Sequence, residues 1–147
     1  MIRNVKMGKN VVIYDPVNLY DCIIGNNTKI GVGTEIGKNV IIGENCKIQA
    51  QCFIPQGVVI LHNCMIAPCV CFTNDKYPAV SGWNDERVGK TIVEEDVSIG
   101  ANSTILPNII IGKGSLIGAG SIVTKDIPPN SIAYGNPCRV IKKSGKQ

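Results

Sequence analysis

A bulky apolar side chain returns every sixth residue through most of this chain, and few folds can absorb such a period. The series runs Ile24, Ile30, Ile36, Ile42, Ile48, Ile54, Ile60, Ile66 and Phe72, then resumes as Val93, Ile99, Ile105, Ile111, Ile117 and Val123. An earlier register of Met7, Ile13 and Leu19 joins it across a step of five, one residue short. Together these make 18 hexads, or six coils if three hexads complete one turn.

The position two residues earlier carries a second rule. It reads Val5, Val11, Val17, Cys22, Thr28, Thr34, Val40, Cys46, Cys52, Val58, Cys64, Val70, Thr91, Val97, Ser103, Ile109, Ser115 and Ser121, with no charge anywhere. Residues two apart on a strand share a face, so both sets point inward, bulky alternating with small. Glycine follows the bulky residue at Gly8, Gly25, Gly31, Gly37, Gly43, Gly100, Gly112 and Gly118, where a tight corner favours a residue without Cβ. A six-residue repeat of strand plus corner predicts an all-β parallel β-helix. An α-helix would instead repeat its apolar residues at steps of three and four.

At 147 residues a single domain is expected, grown by stacking coils. We place the β-helix at 1–127 and a short C-terminal cap at 128–147, beginning where Pro128-Pro129 should end the strand pattern. The net charge of +4 is spread along the chain, which suits an anionic small molecule better than nucleic acid. No stretch nears the ~20 apolar residues of a membrane span and no signal-like run opens the sequence, so the expected location is the cytoplasm. Of seven cysteines, Cys22, Cys46, Cys52 and Cys64 sit at the small inward position, where cysteine acts as a compact hydrophobe. Cys69, Cys71 and Cys138 lie off that register in no zinc-like spacing, so no metal is expected.

Between Phe72 and Val93 the period breaks, with 21 residues where six are expected. The segment 73–91 therefore leaves the column as an extruded loop. It holds the only tryptophan, Trp83, in polar company. Loops carried by a rigid scaffold are where binding and catalysis concentrate. Asp75, Tyr77, Trp83 and Arg87 are its candidates for touching a substrate.

Stacking every third hexad separates three corner edges. One reads Lys9, Asn26, Glu44, His62, Glu95, Lys113, and another reads Asp21, Lys38, Gln56, Asn74, Pro107, Lys125. Both are polar. The third reads Asp15, Val32, Ala50, Pro68, Ala101, Ala119, smooth enough for a narrow flexible ligand to lie against the backbone.

Beyond the repeat, several segments are specific: Ile48-Gln49, Phe72-Thr73-Asn74-Asp75 with Tyr77-Pro78, Ile99-Gly100-Ala101-Asn102, Ile117-Gly118-Ala119-Gly120-Ser121, Val123-Thr124-Lys125-Asp126 and Tyr134-Gly135-Asn136-Pro137. With them the chain resembles the left-handed β-helix acyltransferases of the hexapeptide-repeat superfamily. Together these segments look like the branch that N-acetylates nucleotide-linked amino sugars for surface polysaccharide assembly. The resemblance implies left-handed coiling, a homotrimer, and acetyl-CoA bound in clefts between columns. It implies that Asn74 meets the substrate amine and that the edge bearing Ala101 and Ala119 is the pantetheine path. Lys125 and Arg139 are the candidates for the CoA phosphates, while Lys142, Lys143 and Lys146 read as tail charges.

An amine acceptor also fits the side chains. Acylating a sugar hydroxyl needs a positioned base, usually histidine, and related O-acetyltransferases carry one where this chain reads Thr73-Asn74-Asp75. A neutral amine needs only to be held, and an asparagine oxygen can accept its N–H. His62, the only histidine, is either a base acting across a subunit interface or a solvated corner residue. The alternatives are O-acetylation through His62, a non-catalytic β-helix scaffold, a zinc-dependent γ-class carbonic anhydrase, and a serine or diaminopimelate-pathway acyltransferase. The carbonic anhydrase needs three histidines, a scaffold would show flat threonine faces without an aromatic loop, and the last group carries N-terminal domains not found in this sequence.

Overall fold

The computed structural model describes residues 1–143. Lys146, part of the expected cap, lies outside the described residues. The fold is an all-β, left-handed parallel β-helix of about seven turns. Its three sheets are the sides of a prism, visited in the order A, B, C by each coil. Sheet A has seven strands, from Ile2–Arg3 to Ile122–Val123. Sheet B has six, from Lys6–Met7 to Ile110–Ile111, and sheet C has eight, from Val12–Ile13 to Cys138–Lys143.

Most strands are only two residues long, the second being the bulky residue of the hexad. Each pairs with its counterpart one coil away, as Ile24 does with Ile42 and Ile42 with Ile60. From Leu19 to Val123 every bulky position is buried, and so is every small inward position from Val17 to Ser121. Inward hydroxyls bond across coils: Thr28 donates to the Gly43 carbonyl at 2.8 Å and Thr34 to that of Gln49 at 3.0 Å. Thr91 is the exception among these inward positions: its Oγ1 is buried with no partner among the described residues, as is Asn18 Oδ1.

Two expectations are corrected. The coil count is nearer seven than six, because Ile2–Arg3 adds a strand below the first hexad and pairs with Leu19 and Tyr20. Pro128-Pro129 do not end the column. Ile127 bridges to Ile111, and the strand Ser131–Gly135 runs parallel on Leu116–Ile117 before Cys138–Lys143 folds back antiparallel over it. The glycines after the bulky residues do stand where a Cβ has no room, and the reason is crowding by the next coil. A Cβ on Gly100 would lie 2.5 Å from the Ala119 nitrogen of the next coil. The left-handed corner residue is the third after most of the bulky ones, often asparagine, such as Asn27 (φ 60°), Asn45 (55°) and Asn63 (61°).

The lowest coil has no coil beneath it, so Met7 remains 40% exposed despite its inward register. Outside the prism, sheet B presents an uncharged ladder of Ile23, Ile41, Val59, Ile92 and Ile110. No helix among the described residues is long and apolar enough to cross a membrane.

Candidate functional site

The column keeps its register through Asn74 and takes it up again at Lys90. Gly89 donates its N–H to the Asn74 carbonyl at 2.8 Å, closing the base of the loop. Thr91 then donates to the Gly57 carbonyl at 2.9 Å, and Val58 pairs with Thr91 as if nothing intervened. Gly57 is obligatory here: its φ is 101°, and a Cβ would meet the Gly89 oxygen at 2.1 Å.

Asn74 stands at this root, half-buried, and its amide is oriented. Nδ2 donates to the Gln56 carbonyl of the coil below at 2.9 Å. That bond fixes which end of the amide is nitrogen and leaves Oδ1 as an acceptor with no partner among the described residues. Gln56 contributes only its backbone oxygen, so no side-chain pattern could have marked it.

Within the loop, Arg87 is an internal fastener. Its guanidinium donates to Asp75 Oδ1 at 3.1 Å, to the Gly82 carbonyl at 3.1 Å, and to the Tyr77 carbonyl. Asp75 also accepts from the Tyr77 N–H at 2.9 Å. Asp75 and Arg87 therefore satisfy each other across the loop base, while Tyr77 and Trp83 stand exposed. A 3₁₀ turn at Asp85–Arg87, capped by Asn84, brings Asp85 within 4.0 Å of Lys38 on the column. Beneath it lies a cavity of about 370 Å³ bordered by Asn39, Gln56, Val59, Lys90 and Ile92.

His62 sits on the B–C edge, away from this loop. Its Nδ1 accepts the Glu44 backbone N–H at 2.8 Å. Asn26 does the same one coil pair lower, its Oδ1 accepting from the Lys9 N–H at 2.7 Å. With Nδ1 committed as acceptor, the neutral ring carries its proton on Nε2, the wrong tautomer for an outward-facing base.

The smooth edge runs along the C–A corner. Ala119 is exposed there, and Gly120 beyond it has φ 70° with open space about its α-carbon. The Ala101 and Ala119 N–H groups have no acceptor among the described residues, so they are free to bond a ligand's carbonyls. Tyr134 closes the top of this edge against Gly118, and Arg139 pairs with Tyr134 across the cap. Arg139 thus lies on the cap strand beside Tyr134, its guanidinium donating to the Cys138 carbonyl, whereas Lys125 follows the sheet A strand Ile122–Val123 and lies on the Asn74 edge. No group of three or more His, Cys, Asp or Glu is placed to hold a metal among the described residues.

The family described as bacterial transferase hexapeptide (six repeats) matches residues 21–56 and 90–125, on either side of the loop. One relative, the dTDP-3-amino-3,6-dideoxy-α-D-galactopyranose 3-N-acetyltransferase of Aneurinibacillus thermoaerophilus, is 54% identical over 55 residues, 37% of this chain and 29% of that enzyme. The galactoside O-acetyltransferase of Lactococcus lactis is 56% identical over 54 residues, 37% of this chain and 26% of its own. Those matches thus span under a third of either enzyme. Among solved structures, a variant of AntD, an N-acyltransferase from Bacillus cereus, in complex with dTDP-4-amino-4,6-dideoxyglucose and coenzyme A, is 30% identical. That match has a TM-score of 0.82 and covers 97% of this chain and 85% of AntD. With the repeat, the three-sided column and an alignment over nearly its whole length in agreement, the chain belongs to the hexapeptide-repeat transferase family.

Proposed function

We propose that this protein transfers an acetyl group from acetyl-CoA to the amine of a nucleotide-linked amino sugar destined for surface polysaccharide. The observation that carries the reading is the oriented Asn74 amide, whose unpartnered Oδ1 suits an N–H donor and cannot abstract a proton. Relatives that act on dTDP-amino sugars support the same acceptor class.

In the proposed reaction the sugar amine arrives neutral, and Asn74 Oδ1 accepts one of its hydrogens, aiming the lone pair at the thioester carbonyl. The N–C bond forms, the C–S bond breaks, and the amine proton leaves with the departing thiolate or to solvent. In this reading Ala101 and Ala119 line the path of the pantetheine arm, and Arg139 is the candidate for a CoA phosphate. Lys125 and Asp75 do not join that set within one column: Lys125 is on another edge, and Asp75 is bound to Arg87. Tyr77 and Trp83 remain the loop's exposed candidates for substrate.

Asn74 and the alanine edge lie at opposite borders of sheet A, so one column cannot present both to one substrate. A homotrimer with sites between columns resolves this, and the aliphatic ladder on sheet B supplies a surface to bury. The test is acetyl transfer to a panel of dTDP- and UDP-linked amino sugars and their hydroxyl counterparts, with products weighed by mass spectrometry. Acetylation of the amino sugars alone is expected. Transfer only to hydroxyl acceptors would overturn the assignment.

A further inference from the structure

Asn74 stands on the A–B edge of the column and the free N–H groups of Ala101 and Ala119 on the C–A edge, and three sheets leave only one edge more. That count constrains how copies can meet. In a trimer of three-sided columns about an axis along the coils, each copy turns one edge to the axis and two away from it. Every outer groove then joins two off-axis edges, one from each neighbour. With the A–B edge axial, Asn74 would face its own copies; with the C–A edge axial, the alanines would. Only an axial B–C edge brings Asn74 of one column to Ala101 and Ala119 of the next. It makes sheets B and C the covered faces and leaves sheet A, with the loop at its border, outside. Sheet B carries the aliphatic ladder, and sheet C exposes Val12 and Leu116 at 38% and 45%.

The edge so assigned reads Lys9, Asn26, Glu44, His62, Glu95, Lys113. Around a three-fold axis each member recurs three times at one height, so the ring of His62 lies between two rings of carboxylates. The local geometry of His62 suits that place. Its Nδ1 accepts the Glu44 N–H of its own column at 2.8 Å, which draws the imidazole toward the coil below and leaves Nε2–H a donor with no partner among the described residues. Glu44 offers the matching acceptor. Its Oε1 takes one long bond of 3.4 Å from Asn26, and its Oε2 takes none among the described residues. A carboxylate covered by an interface needs a donor. We propose that the B–C edge is the seam along which three copies meet, and that His62 fastens it by donating Nε2–H to Glu44 of a neighbouring column. The only histidine is then an assembly residue, remote from both edges that carry the chemistry. The assignment rests on the shared site between columns proposed above.

The test exploits the closeness of a residue to its own copies, which symmetry allows only near the axis. In a Cys69→Ser background, which removes the exposed native thiol, His62→Cys and Asn26→Cys are each treated with a short bis-maleimide, with Lys125→Cys as the off-axis control. Covalent dimers are expected from both edge variants and monomers from Lys125→Cys on a denaturing gel. Sedimentation then reads the fastener: the concentration at which the trimer falls apart should rise roughly tenfold or more in His62→Ala, as for a lost hydrogen bond to a charged group. His62→Gln should recover part of it, since its amide both accepts and donates. Transfer per intact trimer should stay near native in both. Cross-linking through Lys125→Cys alone, or through none of the three, would overturn the seam, while acetylation of amino sugars by the native enzyme, measured separately, would leave the proposed reaction standing. An undisturbed midpoint in His62→Ala would remove the fastener. Lost transfer in an intact His62→Ala trimer would return the histidine to catalysis and overturn the assignment.

Discussion

Cysteine and threonine do the same job inside this column. Cys46, Cys52 and Cys64 point their sulfurs at the Leu61, Ala67 and Glu94 carbonyls, 3.1–3.2 Å away, where Thr28 and Thr34 place hydroxyls. Burial pushes the Cys22 and Cys52 thiols up to about 11 from an ordinary 9.0. A thiol that titrates higher in the folded state stabilises the fold fully below the unfolded value, and that contribution is lost as pH rises through the folded one. Stability should therefore fall between about pH 9 and 11, measured as urea midpoint. Cys22→Ala/Cys52→Ala should flatten that limb, and an unchanged slope would show that the thiols ionise freely. That these cysteines are interior was legible from their register. The setting of His62 was not, because its partner is a backbone N–H that no side-chain pattern reports.

Among the elements, periodicity predicted nearly every strand and the position of the loop, but not the loop's inner order. Asp75 and Arg87 are joined across an irregular segment that has no repeat to betray the pairing. Both stood as candidates for substrate, and the structure gives them to each other. Arg87→Ala should free the loop, raising the sugar KM several-fold and exposing the segment to limited proteolysis. Arg87→Lys should restore little, because one ammonium cannot reproduce a guanidinium fork on three oxygens. Native protease resistance in Arg87→Ala would assign the fastening elsewhere. On the opposite edge, Ala119 faces outward, so Ala119→Arg should block CoA binding with the melting temperature kept. Unchanged CoA affinity by calorimetry would move the cofactor to another edge. The cap shows the limit of reading from composition: Pro128-Pro129 signalled an end, yet the ladder resumed at Ser131 because the inward positions Ile127, Ser131 and Ala133 still fit the column.

For the molecule as a whole, the sequence pattern described one column, whereas the proposed site needs more than one. Sheet B's Ile41 and Ile92 are 42% and 36% exposed, outward and uncharged. Ile41→Glu/Ile92→Glu should leave the interior intact and break the assembly to monomers in sedimentation, abolishing transfer with it; an intact oligomer would assign the contact to another face. Everything proposed for the chemistry depends on Asn74 orienting a competent amine, with no histidine base required. The decisive comparison is kcat/KM for Asn74→Ala and His62→Ala, measured side by side across pH. A loss of roughly 10²-fold or more is expected for Asn74→Ala, the scale of misplacement. For His62→Ala the expected loss is less than about tenfold, since a general base contributes 10²–10⁴-fold, with the rate still rising with pH as the substrate amine loses its proton. Abolished turnover in His62→Ala with near-native turnover in Asn74→Ala would contradict this chemistry and make O-acetylation through His62 the better reading.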